Sequence, residues 1–368
     1  MTGATGVPIA VGASGVAAVP GIPDPAQLAA WVSGSAAAAA GDLQRVTLIA
    51  GGRSNLTYRL DLSAGQLVLR RPPLGHVLPT AHDMAREYRV LTALDGSAVP
   101  VPRPAAFCAS DEIIGAPFYL MQFVDGVVLR TRADGRQLTP PQAGQLSEQL
   151  AAMLAAIHAV DYGAAGLAEF GRPDGYLARQ LMRWQRQWDL SVSREMPGYG
   201  SLVQRLAAQL PVSPGGTLVH GDFRLDNMLV RLGPEPSVAA VVDWEMSTLG
   251  DPLADLGLTL MYWTEAGEED WLGLGVSAAV TSLPGFLSRS ALAARYAGLT
   301  GRDISGIGYY MAFGCFKLAV VLEGIHARFL QHQTVGEGFE REGPAVPLLI
   351  ARAHRLLDGD LSGGAGGS

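Results

Sequence analysis

Asp222, Asn227 and Asp243 are the residues of this chain whose types and spacing can do chemistry. The first two lie in the run His220-Gly221-Asp222-Phe223-Arg224-Leu225-Asp226-Asn227, and the third opens Asp243-Trp244-Glu245 after an apolar Val-Ala-Ala-Val-Val stretch. Short apolar runs at Thr217–Val219, Met228–Arg231 and Val238–Val242 read as strands flanking these loops. A hairpin of such strands can gather the three side chains around one cation. Mg²⁺ takes a few hard oxygen ligands together with substrate phosphates, and a carboxylate and an amide oxygen serve. One carboxylate is then left to accept a proton from an attacking hydroxyl.

The chain that must position these groups has 368 residues, 48% hydrophobic and 17% charged, which supplies a sizeable core and excludes wholesale disorder. A formal charge of -7 argues against a broadly basic nucleic-acid surface, so no nucleic-acid partner is expected. Two cysteines, Cys108 and Cys315, make neither a disulfide framework nor a CxxC zinc site. Lys317 is the sole lysine; every other basic residue is arginine, so a step that needs a lysine uses Lys317 or substitutes an arginine. Residues 1–22 carry no Lys or Arg, lack the charged start of a secretory signal and read as a flexible leader, with the cytoplasm as expected location. The most membrane-like stretch, Ile307–Ile325, is interrupted by Lys317 and Glu323 and reads as a buried helix, so no membrane partner is expected. Oligomeric state leaves no mark in the sequence.

Asp24 as N-cap and Pro25 at the first helical position open a helix expected to run to about Ala40. Strands are expected at Gln44–Ala50, Leu56–Leu62, Gln66–Arg71, Ala105–Ala109 and Pro117–Val124, with a helix from Thr80 to Leu94 between the third and fourth. After Gly126 the pattern turns helical: 140–160, 175–190, 199–210, 252–265, 287–298, 303–330 and 344–358. The stripe Leu146, Leu150, Met153, Leu154 and Ile157 marks the buried face of the first of these.

The pattern H-x-D-x-x-x-x-N followed by an aspartate resembles the catalytic and metal loops of the protein-kinase-like superfamily. With Gly221 in second place it is similar to the aminoglycoside phosphotransferase and choline kinase branch. That resemblance implies Asp222 as catalytic base, Asn227 and Asp243 as Mg²⁺ ligands, and Arg224 as a cation stabilising the transferred phosphate. Gly51-Gly52-Arg53-Ser54-Asn55 resembles the nucleotide-covering loop, with Ser54 and Asn55 on the phosphates. Arg70 stands where kinases place a lysine, with Arg71 beside it as an alternative, and Glu87 resembles the helix glutamate that orients this cation. The backbone of Gln122 and Val124, after the last small-lobe strand, resembles the adenine-binding hinge. Asp255 resembles the buried aspartate that braces the catalytic loop.

These signals fall in kinase order along the chain. His220–Asn227, Asp243–Leu256, Leu69–Pro73 and Ala85–Leu91 look like the phosphotransferase-like domain fused to acyl-CoA dehydrogenases. The implied fold is α+β and bilobal: a small β-rich N-lobe at 23–125, a larger helical C-lobe at 126–358 and a flexible tail at 359–368. The implied activity is transfer of the ATP γ-phosphate, with Mg²⁺, to the hydroxyl of a small molecule. A hydroxyacyl or other apolar alcohol is the expected acceptor. An aminoglycoside acceptor, a nucleotide-binding pseudokinase (from Arg70 in place of lysine) and a metal-dependent phosphohydrolase using His220 remain the other readings.

Overall fold

The computed structural model describes residues 9–10, 19–49, 55–74, 83–268, 279–331 and 342–361. It divides into two compact units: Met1–Asp125 with Ala240–Glu245, and Gly126–Ala239 with Met246–Ser368. Asp243 therefore belongs with the first unit, whereas the sequence places it in the helical lobe with Asp222.

The first unit is built on an antiparallel sheet. Its strands are β1 (Ile9–Ala10), β2 (Leu43–Leu48), β3 (Leu56–Leu62), β4 (Gly65–Arg71), β5 (Pro104–Cys108) and β6 (Phe118–Gln122), in the order β1-β2-β3-β4-β6-β5. Period-two alternation puts Tyr58, Leu60 and Leu62 of β3 into the core. There they join Leu28 and Val32 of α1 (Pro25–Ser33), with Leu69, Phe118 and Leu120 of the sheet. The Asp24 carboxylate accepts from the N–H groups of Ala26 (2.9 Å) and Gln27 (3.2 Å), capping α1 as expected. The expected continuous helix to Ala40 is broken: α1 stops at Ser33, and Ser35, in extended conformation, caps a separate 3-10 turn at Ala36–Ala40. The leader is also partly structured, because β1 pairs with Arg45 and Val46 of β2, and Val19 and Ile22 are buried.

The helix expected from Thr80 is α2 (Met84–Leu94). Thr80 lies outside the described residues, and the cap is Asp83, whose carboxylate accepts from the Arg86 N–H at 3.0 Å. Glu87, Val90, Leu91 and Leu94 form its buried face, which packs on β5 and β6.

The second unit is mainly helical. Its helices are α3 (Arg132–Gly135), α4 (Pro140–His158), α5 (Tyr176–Ser191), α6 (Tyr199–Ala208), α7 (Pro252–Tyr262), α8 (Arg289–Thr300), α9 (Ile307–Leu330) and α10 (Glu342–Leu357). Between α6 and α7 run β7 (Thr217–Val219), β8 (Met228–Arg231), β9 (Ser237–Val241) and β10 (Thr248–Gly250). β8 pairs with β9, and β7 with β10, Thr248 opposite Val219. β7 and β10 thus hold the segment His220–Ser247 at both ends. Helix α9 is long and apolar enough to cross a membrane by length and composition, but it is mostly buried, packed against α5, α7 and α10. Its fully buried Glu323 meets Arg194 at 2.8 Å.

Candidate active site

The loop after β7 is held in place group by group. Gly221 has φ 84, a left-handed conformation, and a Cβ there would stand 2.4 Å from the carbonyl oxygen of Met246. Only glycine fits. The carboxylate of Asp255 on α7 accepts from the main-chain N–H of His220 at 2.6 Å and of Gly221 at 2.8 Å. Asp251, the N-cap of α7, accepts from Leu253 N–H and from the Tyr310 hydroxyl, both at 2.9 Å, which fixes the helix that carries Asp255. Behind Asp255 lies His158, with Nε2 at 3.3 Å, and its Nδ1 meets the Tyr296 hydroxyl at 2.7 Å. Burial pushes the Asp255 carboxyl up, but His158, His220 and the Gly221 N–H together hold it below the ordinary range.

Asp222 follows. Its N–H faces His220 Nδ1 at 3.3 Å. Asn227 donates from Nδ2 to the Asp222 carbonyl at 2.8 Å and to its Oδ2 at 3.0 Å, so the amide orients the carboxylate. Thr259 donates to the Phe223 carbonyl at 2.8 Å. Arg224 brings Nε to 3.7 Å from Asp222 Oδ2 and Nη2 to 3.3 Å from Asp226 Oδ2, and its guanidinium carbon lies 4.8 Å from the centre of the Tyr262 ring. Beside the loop is a cavity of about 30 Å³, lined by Arg224, Asp226, Tyr262, Trp263, Val280 and Thr281 among others. Trp184, Trp188, Tyr309, Tyr310 and Phe316 of the helical unit are buried in the core.

In the first unit Arg70, on β4, is the centre of a charge cluster. Its Nε lies 3.1 Å from Glu87 Oε2, it pairs with Asp243, and Glu245 Oε2 stands 3.9 Å away. Asn55 donates to Glu245 at 2.8 Å. Burial alone would lower the Arg70 pKa, but Glu87 and Asp243 together hold it well above its ordinary value. Burial pushes Glu87 up to about 7, against the opposing pull of Arg70. Asp243 sits at φ 68. Arg71 is turned elsewhere, its guanidinium bonded to the carbonyls of Gly21, Ile114 and Pro72, so Arg70 is the cation of this strand. Gln122 ends β6 opposite Leu67 and donates its N–H to Arg103 O at 2.8 Å; Val124 follows, half-buried, outside the strand. Ser54 lies outside the described residues.

The residues offered for Mg²⁺ suit it by type. Asn227 commits its NH₂ to Asp222, which leaves its carbonyl oxygen as the donor to a cation. Asp243 offers a carboxylate, so each of the two is a hard oxygen donor by type. Among the described residues no cluster of three or more His, Cys, Asp or Glu could hold a metal, and His220 is fully buried. Sequence reasoning gave no role to Lys317, whose Nζ donates to the Gly221 carbonyl at 2.6 Å, nor to His158 and Tyr296. Its standing as the sole lysine was the one available signal.

An antiparallel sheet unit and a helical unit carrying this loop define a kinase-like phosphotransferase. The chain belongs to the phosphotransferase enzyme family, whose model matches residues 45–286. A Ralstonia eutropha protein provisionally described as an aminoglycoside phosphotransferase superposes with a TM-score of 0.77 at 32% identity, over 91% of this chain and 98% of that one. Spectinomycin phosphotransferase, solved with ADP and spectinomycin, shares the fold with a TM-score of 0.58 at 13% identity, over 90% of this chain and 99% of its own. Mouse acyl-CoA dehydrogenase family member 10 is 34% identical over 302 residues, 79% of this chain and 27% of that protein. Chicken acyl-CoA dehydrogenase family member 11 is 35% identical over 283 residues, 76% of this chain and 36% of that protein. The chain thus spans only about a third of the length of these relatives.

Proposed function

We propose that this phosphotransferase moves the γ-phosphate of ATP to the hydroxyl of an acyl-chain or other apolar small molecule, with Asp222 as general base. The observation that carries this reading is the Asp222–Asn227 pair: Asn227 orients Oδ2 at 3.0 Å, and Oδ1 is left to take the acceptor's proton. Arg224 lies against the same carboxylate and would neutralise charge developing on the phosphate. Ser54, Asn55 and Arg70 are assigned to the phosphates, Glu87 to holding Arg70, and the backbone of Gln122 and Val124 to adenine. Asn227 and Asp243 would hold Mg²⁺, which when bound would supply positive charge against the phosphates.

The acyl-type acceptor is supported by the mouse and chicken relatives, both acyl-CoA dehydrogenase family members by name. A polycationic amino sugar would need unpaired acid beside the loop, yet Asp226 is paired with Arg224. We also place the protein in the cytoplasm, where the two buried free cysteines stay reduced. The test is γ-phosphate transfer across a panel of alcohols, amino sugars and hydroxyacyl-CoA thioesters. Asp222→Asn should lose about 10²–10⁴-fold in turnover while still binding Mg-ATP. Unchanged transfer by that variant would remove Asp222 as base, and ATP binding without transfer to any acceptor would mark a pseudokinase.

A further inference from the structure

Lys317 lies on α9, 96 residues from the loop it touches. Its ammonium sits 2.6 Å from the Gly221 carbonyl oxygen and 5.6 Å from the centre of the Trp184 ring. The side chain is half-buried between the buried Phe316 and Leu318, in the apolar first two thirds of α9. The carbonyl it grips belongs to the peptide unit whose N–H is that of Asp222, and that N–H faces His220 Nδ1. One end of this peptide plane is therefore held by Lys317 and the other by His220. Rotation of the plane would change ψ of Gly221 and φ of Asp222 together and swing the Asp222 carboxylate. Gly221, with no Cβ to resist such rotation, depends on outside groups to fix it.

We propose that Lys317 is a positioning residue: its cation clamps the Gly221–Asp222 peptide plane and so aims the Asp222 carboxylate. Lysine suits the task because a single carbonyl is the partner. A compact ammonium on a flexible stem meets one oxygen, whereas a guanidinium fork is shaped for two. Burial pulls the ammonium below its ordinary pKa, Asp222 and Asp255 work against that pull, and Arg183 and Arg224 add to it.

The inference rests on the base assignment proposed above, and the experiment separates the two. The probe is Mg-ATP with water as acceptor, read as ADP release, for wild type, Lys317→Met, Lys317→Arg and Asp222→Asn. Lys317→Met should lose about 10–100-fold in turnover with KM for ATP within about twofold, since a misplacement near 1 Å costs about 10²-fold. Lys317→Arg, which keeps the charge, should recover part of that loss. Protein grown on ¹³C-lysine should give one ε-methylene signal, and Asp222→Asn should displace it. Wild-type turnover in Lys317→Met beside an inactive Asp222→Asn would overturn the clamp and leave the base standing. Wild-type turnover in Asp222→Asn would overturn the base and with it the clamp's purpose. An ε signal unmoved by Asp222→Asn would overturn the clamp even where Lys317→Met fails to fold.

Discussion

Asp255→Asn tests how the catalytic loop is held. The two main-chain N–H groups of His220 and Gly221 reach opposite oxygens of the Asp255 carboxylate, at 2.6 and 2.8 Å. An asparagine can offer its oxygen to one of them and must turn its NH₂ toward the other. Hydrogen bonds to a charged acceptor contribute about 1.5–3 kcal/mol, and a buried donor left unmet costs about 1–3 kcal/mol. Asp255 is 2% exposed, so water cannot take over the lost bond. The change should therefore cost about 3–5 kcal/mol, which lowers the melting temperature by roughly 10 °C at about 2–4 °C per kcal/mol in a domain of this size. Turnover should fall by about 10²-fold, because the released residues immediately precede Asp222. The acid limb should also change. Asp255 has its carboxyl held below the ordinary value of 3.8, so it contributes stability above that pH and loses it as pH falls through the folded-state value. The variant should denature less steeply in acid. Circular dichroism melts with γ-phosphate transfer read the outcome; a variant that melts within about 2 °C of wild type and turns over normally would refute bracing by Asp255.

Two further perturbations discriminate in the same way. Gly221→Ala forces a side chain into φ 84 and sets its Cβ 2.4 Å from the Met246 carbonyl. The left-handed strain alone costs about 1–2 kcal/mol, so the variant should remain folded yet lose most of its turnover, and a fully active Gly221→Ala would contradict the loop geometry. Glu87, pushed up to about 7, contributes stability that is complete below its ordinary value of 4.5 and is lost as pH rises through about 7. Melting of the ligand-free protein should therefore fall between pH 5 and pH 8, and Glu87→Gln should flatten that dependence; parallel curves for the two proteins would count against a buried, proton-binding Glu87.

What the sequence made legible was local. β3, β7 and β8 have the expected bounds because alternation and turn residues define them within a few positions. The loop was legible because its groups lie within eight consecutive residues. β10 was not, since Thr248-Leu249-Gly250 is a strand only by pairing with β7. The start of α2 was misjudged because Thr80 and Asp83 are both competent caps, and the hydrogen bond to Arg86 N–H goes to Asp83. Nothing near position 317 announces a bond to residue 221. The same limit applies to His158 and Tyr296, whose contribution depends on α4 and α8 meeting behind Asp255.

The chain's avoidance of lysine is sorted by the shape of the partner. At β4 the cation must serve Glu87 through Nε and Asp243 through Nη2, with Glu245 close by. Two carboxylates held against two nitrogens of one group are a task for a guanidinium, which also stays charged at any working pH. At Lys317 one carbonyl is the target, and an arginine there would leave donors of its fork to be satisfied in a half-buried place. The absence of a lysine on β4 is therefore no sign of lost activity. Arg70 meets the α2 glutamate directly, so the ion pair that kinases make with lysine is made here by other means.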